Sequence, residues 1–76
     1  MRLTDEIIKK LDIRQSKNEH KIMLKAGNKN KLYAMLRKKC PNGILETETA
    51  DRKITEVNIV QYVKMLEEEI LKENLN

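Results

Sequence analysis

The residues of this chain that could do chemistry are mostly cationic, and five of the sixteen Lys/Arg crowd between positions 29 and 39. Lys29, Lys31, Lys38 and Lys39 could neutralise phosphates, each contact adding to the salt dependence of binding. Asn30 and Arg37 carry the side chains that read adenine and guanine edges through paired hydrogen bonds. Ala34 between them is small enough to let a helix sit deep in a groove, or to touch a thymine methyl. At about 100° per residue, a helix over this segment puts Leu32, Met35 and Leu36 on one side and Asn30, Lys31, Ala34, Arg37 and Lys38 on the other. Arg52 and Lys53 follow at a place suited to a hairpin tip, from which they would reach a neighbouring phosphate. The competing reading is a solvated basic face.

Other reactive side chains form no constellation. His20 has no cysteine or carboxylate at metal-ligand spacing apart from Glu19, so no metal is expected. Cys40 lacks a base or orienting partner in the pattern and reads as a helix-end filler, not a nucleophile. Glu67, Glu68 and Glu69 point around a helix instead of converging. Gly27 and Gly43 are the only glycines, too few for a phosphate-cradling loop. No catalytic residue and no cofactor is expected.

A chain of 76 residues holds one domain, here 1–76, and its core is thin. With no Trp, no Phe and only Tyr33 and Tyr62 as aromatics, that core must be aliphatic. The single cysteine excludes an intramolecular disulfide and fits a reducing compartment. The opening MRLTDEIIKK reaches charge too early for a signal peptide, and no apolar run approaches the roughly 20 residues of a membrane helix. A cytoplasmic protein with no membrane partner is the expectation. Charge is unevenly placed: residues 1–43 carry twelve Lys/Arg against four Asp/Glu, residues 44–76 four against eight. A basic half joined to an acidic half suggests a polyanion-binding surface and a separate face for something else.

The elements that would position these residues can be read from periodicity. Thr4 reads as an N-cap for a first helix over 5–13, with Ile7, Ile8 and Leu11 on its apolar side. The pattern lapses at Arg14-Gln15-Ser16, and Ser16 could cap a second helix over 17–26, where Ile22 and Ala26 share a face beside Met23. Gly27-Asn28 breaks it. The third helix, 29–39, ends at Cys40-Pro41, and Asn42-Gly43 turns the chain. ILETET and ITEV flank ADRK as a hairpin over 44–57, although Thr55 could instead cap the last helix directly. That helix, 57–74, carries Ile59, Val63, Leu66 and Ile70 at spacings of 4, 3 and 4, with Val60 and Leu71 widening the stripe.

Residues 19–38 have the elements of a helix-turn-helix: Ile22, Ala26, Leu32 and Leu36 for the contacts between helices, and Gly27 for the turn. From Leu32 to Lys53 the chain resembles the third helix, strand and wing of winged helix-turn-helix domains, most nearly PadR-like regulators. Leu32, Tyr33, Leu36 and Arg37 match a Leu-Tyr-x-x-Leu-Arg run, and Gly43, Ile44, Leu45 and Glu46 the strand that follows. The portion before this run is short, and no Thr-x-x-Gly run follows the wing. The resemblance implies helix 29–39 in a DNA major groove, a wing on the backbone or minor groove, and a C-terminal dimerisation helix.

The expected fold is therefore mainly α with a small β-hairpin, winged helix-turn-helix-like: three helices, the hairpin, then a long C-terminal helix. The expected function is a small DNA-binding transcriptional regulator, not an enzyme. A homodimer through Ile59, Val60, Val63, Leu66, Ile70 and Leu71 is expected to bind duplex DNA. The rival is an inhibitor or adaptor whose C-terminal stripe docks on a larger protein partner.

Overall fold

The computed structural model describes residues 2–75. Its order is α1 (Arg2–Lys25), α2 (Lys29–Lys39), β1 (Ile44–Glu48), β2 (Ile54–Asn58) and α3 (Ile59–Leu75). The chain is thus mainly helical with a two-stranded antiparallel hairpin.

The helices expected over 5–13 and 17–26 are one helix, so two helices precede the hairpin where three were expected. Thr4 lies inside α1 and does not begin it. Arg14, Gln15, Ser16 and Lys17 interrupt the apolar pattern but include no Gly or Pro, and Ser costs a helix only a few tenths of a kcal/mol. Arg14 also anchors the middle of α1 through two hydrogen bonds to Glu48, Nε to Oε1 at 2.7 Å and Nη2 to Oε2 at 2.8 Å.

α1 stops where the glycine permits. Gly27 has φ +81°, its N–H reaches the Leu24 carbonyl at 3.1 Å, and the Asn28 N–H reaches the Met23 carbonyl at 2.9 Å. This is the paired closure of a Schellman motif. α2 ends in a tight turn closed by the Gly43 N–H on the Cys40 carbonyl at 2.8 Å. The Ile59 N–H then bonds the Gly43 carbonyl at 3.1 Å, bringing the start of α3 back beside the end of α2.

The hairpin register runs from Ile44↔Asn58 to Glu48↔Ile54. Alternation puts Leu45, Thr47 and Val57 on one face, and Ile44, Glu46 and Glu48 on the other. Thr55 does not cap the last helix. Asn58 does, its Oδ1 accepting from the Gln61 N–H at 2.8 Å.

The core comprises Leu32 and Leu36 from α2, Val57 from β2, and Ile59, Tyr62, Val63 and Leu66 from α3. α1 adds the partly buried Met23 and Leu24. Ile22 and Ala26, expected to meet α2, are exposed. With α1 continuous, its inward face runs through Ile13, His20, Met23 and Leu24, which turns Ile22 to the far side. Burial in the core, at about 1.5–3 kcal/mol for each full aliphatic side chain, is what holds so short a chain together.

Candidate nucleic-acid interface

α2 owes its orientation to Leu32 and Leu36, which are 0% and 1% exposed. Asn30, Lys31, Ala34, Arg37 and Lys38 are all exposed on the side of α2 opposite that buried pair. Met35, expected on the inner side, is 42% exposed. The Arg37 guanidinium lies over the Tyr33 ring, 5.6 Å from its centroid, a stacking that pre-orders the side chain while leaving its N–H edge free. Arg37, Lys38 and Lys39 occupy the last turn of α2, where they also favour the negative end of the helix dipole.

The remaining cations of the basic half are largely engaged. Lys17 and Lys21 pair with Glu69 at 2.7 and 3.2 Å, and Lys21 and Lys25 with Glu73 at 2.9 and 3.4 Å. Lys29, expected on a phosphate, sits 3.2 Å from Glu67. The basic and acidic halves are therefore not separate faces: much of the acidic α3 lies against α1 and the start of α2. Among the described residues no such ion pair holds Lys31, Arg37 or Lys38.

The hairpin tip is a separate station. Five residues of β1, at about 3.3 Å each, carry Arg52 and Lys53 roughly 16 Å from the turn that ends α2. The tip closes through the Thr49 N–H on the Lys53 carbonyl and the Arg52 N–H on the Thr49 carbonyl, both 2.9 Å, and the Thr49 hydroxyl donates to Asp51. Arg52 has φ +64°, left-handed backbone that glycine or asparagine usually occupies.

Lys64 escaped the sequence reading. It lines a shallow concavity with Arg37, Gly43, Asn58 and Gln61, beside the first turn of α3, which carries no acidic residue. Periodicity alone puts Lys64 only on the outer side of its helix. The turn at 40–43 and the Ile59–Gly43 bond bring it alongside Arg37.

The stripe expected to form a dimer, or to dock on a protein, mostly faces the chain's own interior. Ile59, Val63 and Leu66 are 6%, 0% and 0% exposed, which corrects their reading as a partner surface. Ile70 is half-buried, and only Val60 and Leu71 remain largely exposed.

His20 and Tyr62 were not expected to meet. His20 Nδ1 lies 2.7 Å from the Tyr62 hydroxyl, and the rings are edge-to-face at 5.6 Å. Burial, reinforced by the charge of Lys39 and opposed by Glu19, holds the imidazole below its ordinary pKa, and burial raises the Tyr62 phenol above its own. Both line a groove of about 460 Å³ between α1 and the hairpin, together with Ile13, Leu36, Lys39 and Cys40. Cys40 is half-buried at the C-terminal end of α2. Across the hairpin, the Arg14 guanidinium holds the Glu48 carboxyl below the usual carboxylate range, against desolvation that pushes it up. Among the described residues no three His, Cys, Asp or Glu side chains gather as a metal site would require, and no helix is long and apolar enough to cross a membrane.

Comparison with protein-family models, with curated proteins and with solved structures finds no match to this chain.

Proposed function

We propose that this chain is a small duplex-DNA-binding protein of the transcription-regulator type, working in the cytoplasm and engaging DNA through the outer face of α2. One observation carries the reading. Lys31, Arg37 and Lys38 stand exposed on one face with no acidic partner among the described residues, while Lys17, Lys21, Lys25 and Lys29 are held by α3. Asn30 and Ala34 share that face and supply a base-reading amide and room for close approach. Lys64 extends the cationic surface past Arg37. Arg52 and Lys53 add a second contact from the hairpin, in the manner of a wing.

The test is binding of labelled random-sequence duplex DNA as a function of salt. Each phosphate contact steepens the log–log salt slope by about 0.9. On random-sequence DNA, where no preferred guanine is presented, the Arg37 charge rests on the backbone like the two lysines, so replacing Lys31, Arg37 and Lys38 together by alanine should flatten the slope by nearly three units. Between 50 and 200 mM salt, wild type should then lose about 40-fold more affinity than the variant. Lys72→Ala, on the exposed end of α3, should change the slope by less than one unit. A triple variant that binds DNA as wild type does would overturn the assignment.

A further inference from the structure

α1 carries a second apolar stripe that nothing among the described residues covers. Ile8, Leu11 and Ile22 are 50%, 54% and 65% exposed, and Ile7 beside them is 57% exposed. Ile8, Leu11, Gln15, Asn18 and Ile22 follow one another at spacings of 3, 4, 3 and 4, the a and d positions of a heptad. All five are exposed and face away from His20, Met23 and Leu24. An isoleucine at a and a leucine at d is the pairing that suits a two-stranded coil.

The flanking charges are ordered as well. In this register the e positions are Asp5, Asp12 and Glu19, and the g positions include Arg14 and Lys21. Lys21 is committed to Glu69 and Glu73, its side chain only 12% exposed. Arg14 is 49% exposed and uses only Nε and Nη2 on Glu48, leaving donors free on its outer edge. We propose that the outer stripe of α1 pairs with the same stripe of a second copy, as a parallel two-helix coil. In that arrangement the g residue of one heptad meets the e residue of the next on the other helix, so Arg14 faces Glu19 of the second copy, twice by symmetry. An antiparallel pairing would set the acidic e rows against each other. Gln15 at an a position can bond its own copy across the axis, a polar device that fixes register.

The surface area fits this occupant. A compact monomer of 9.0 kDa exposes about 4,900 Å², whereas this chain exposes 5919 Å². The excess, about 1,000 Å², is close to the roughly 800 Å² per partner of a standard interface. The chain is also flat, with extents of 40 × 35 × 16 Å, and α1 is a preformed helix of 24 residues. Pairing it requires no new secondary structure.

Sedimentation equilibrium from ten to several hundred micromolar should show the average mass rising from 9.0 kDa towards twice that value. Leu11→Glu with Ile22→Glu should remain a folded monomer by circular dichroism, since both side chains are already more than half exposed. Val60→Glu with Leu71→Glu, the exposed apolar residues of α3, should dimerise as wild type does. Orientation is read by cross-linking on a Cys40→Ser background. Ile22→Cys should oxidise to a disulfide with its own kind and should not capture Ile8→Cys. A monomer at several hundred micromolar, loss of the dimer in the α3 variant alone, or preferential Ile8–Ile22 cross-linking would each overturn the proposal.

Discussion

The His20–Tyr62 hydrogen bond is the part of this structure whose energetic weight can be worked out most directly. The two residues are 5% and 3% exposed, and the 2.7 Å bond between them ties α1 to α3. Tyr62→Phe removes the hydroxyl and strands a buried ring nitrogen, which costs about 1–3 kcal/mol. His20→Leu strands the phenol instead, at a similar cost. Replacing both by apolar groups leaves nothing unsatisfied, so the double variant should be more stable than the sum of the singles implies, by about 1–2 kcal/mol. For a domain of this size, 1 kcal/mol moves the thermal midpoint by about 4–8 °C, well within reach of urea and thermal melts followed by circular dichroism. The bond also makes a signed pH prediction. Because the folded imidazole binds its proton more weakly than the unfolded one, the unfolded chain is protonated first as pH falls. Stability from this site should be complete above the unfolded value of about 6.5 and decline below it. His20→Leu should lose that decline, leaving the carboxylate-dependent losses at lower pH. Single-variant costs that add to within about 0.5 kcal/mol in the double would refute the coupling.

Thr47 is fully buried and its hydroxyl has no hydrogen-bond partner among the described residues. Thr47→Val keeps the shape and removes the stranded group, so urea unfolding should show a gain of about 1 kcal/mol; a loss would mean that water or another group satisfies the hydroxyl. Arg52→Gly relieves left-handed backbone at the hairpin tip and should stabilise the fold by about 1 kcal/mol. The same variant should weaken DNA binding and lower the salt slope by about one unit, and unchanged DNA binding would remove Arg52 from the interface.

The elements that punctuation residues delimit were readable from the chain. Gly27-Asn28 and the Pro41-Asn42-Gly43 turn isolate α2, and the alternation around ADRK marks the hairpin. Leu32 and Leu36 placed the buried side of α2 correctly. α1 was not readable in the same way. Four of its large aliphatic residues, Ile7, Ile8, Leu11 and Ile22, face solvent, while its inner side mixes Ile13 and the partly buried Met23 and Leu24 with the polar Ser16 and His20. Hydrophobicity marks a stripe without saying which neighbour covers it. The contacts that orient α1 are polar and distant in sequence: Arg14 with Glu48, Lys21 with Glu73 and His20 with Tyr62. No local pattern encodes pairs 34, 52 and 42 residues apart. α3 shows the converse, since its spacing was right and its destination was not. The heptad-like run of Ile59, Val63 and Leu66 is consumed by the monomer's own core.

The ion pairs that orient α1 also decide how a DNA titration must be interpreted. Raising salt screens the contacts of Lys17, Lys21 and Lys25 with Glu69 and Glu73 as well as any phosphate contact. The two effects differ greatly in size. Exposed pairs contribute about 0–1 kcal/mol each, and the Lys17 and Lys21 side chains, 15% and 12% exposed, are screened less than fully exposed ones. The fold should therefore change little between 50 and 200 mM salt, while three phosphate contacts on α2 lose about 40-fold in affinity. Circular dichroism recorded across the same salt series separates the cases. Constant ellipticity with steeply falling binding assigns the slope to the α2 face, whereas parallel loss of both assigns it to the α1–α3 pairs.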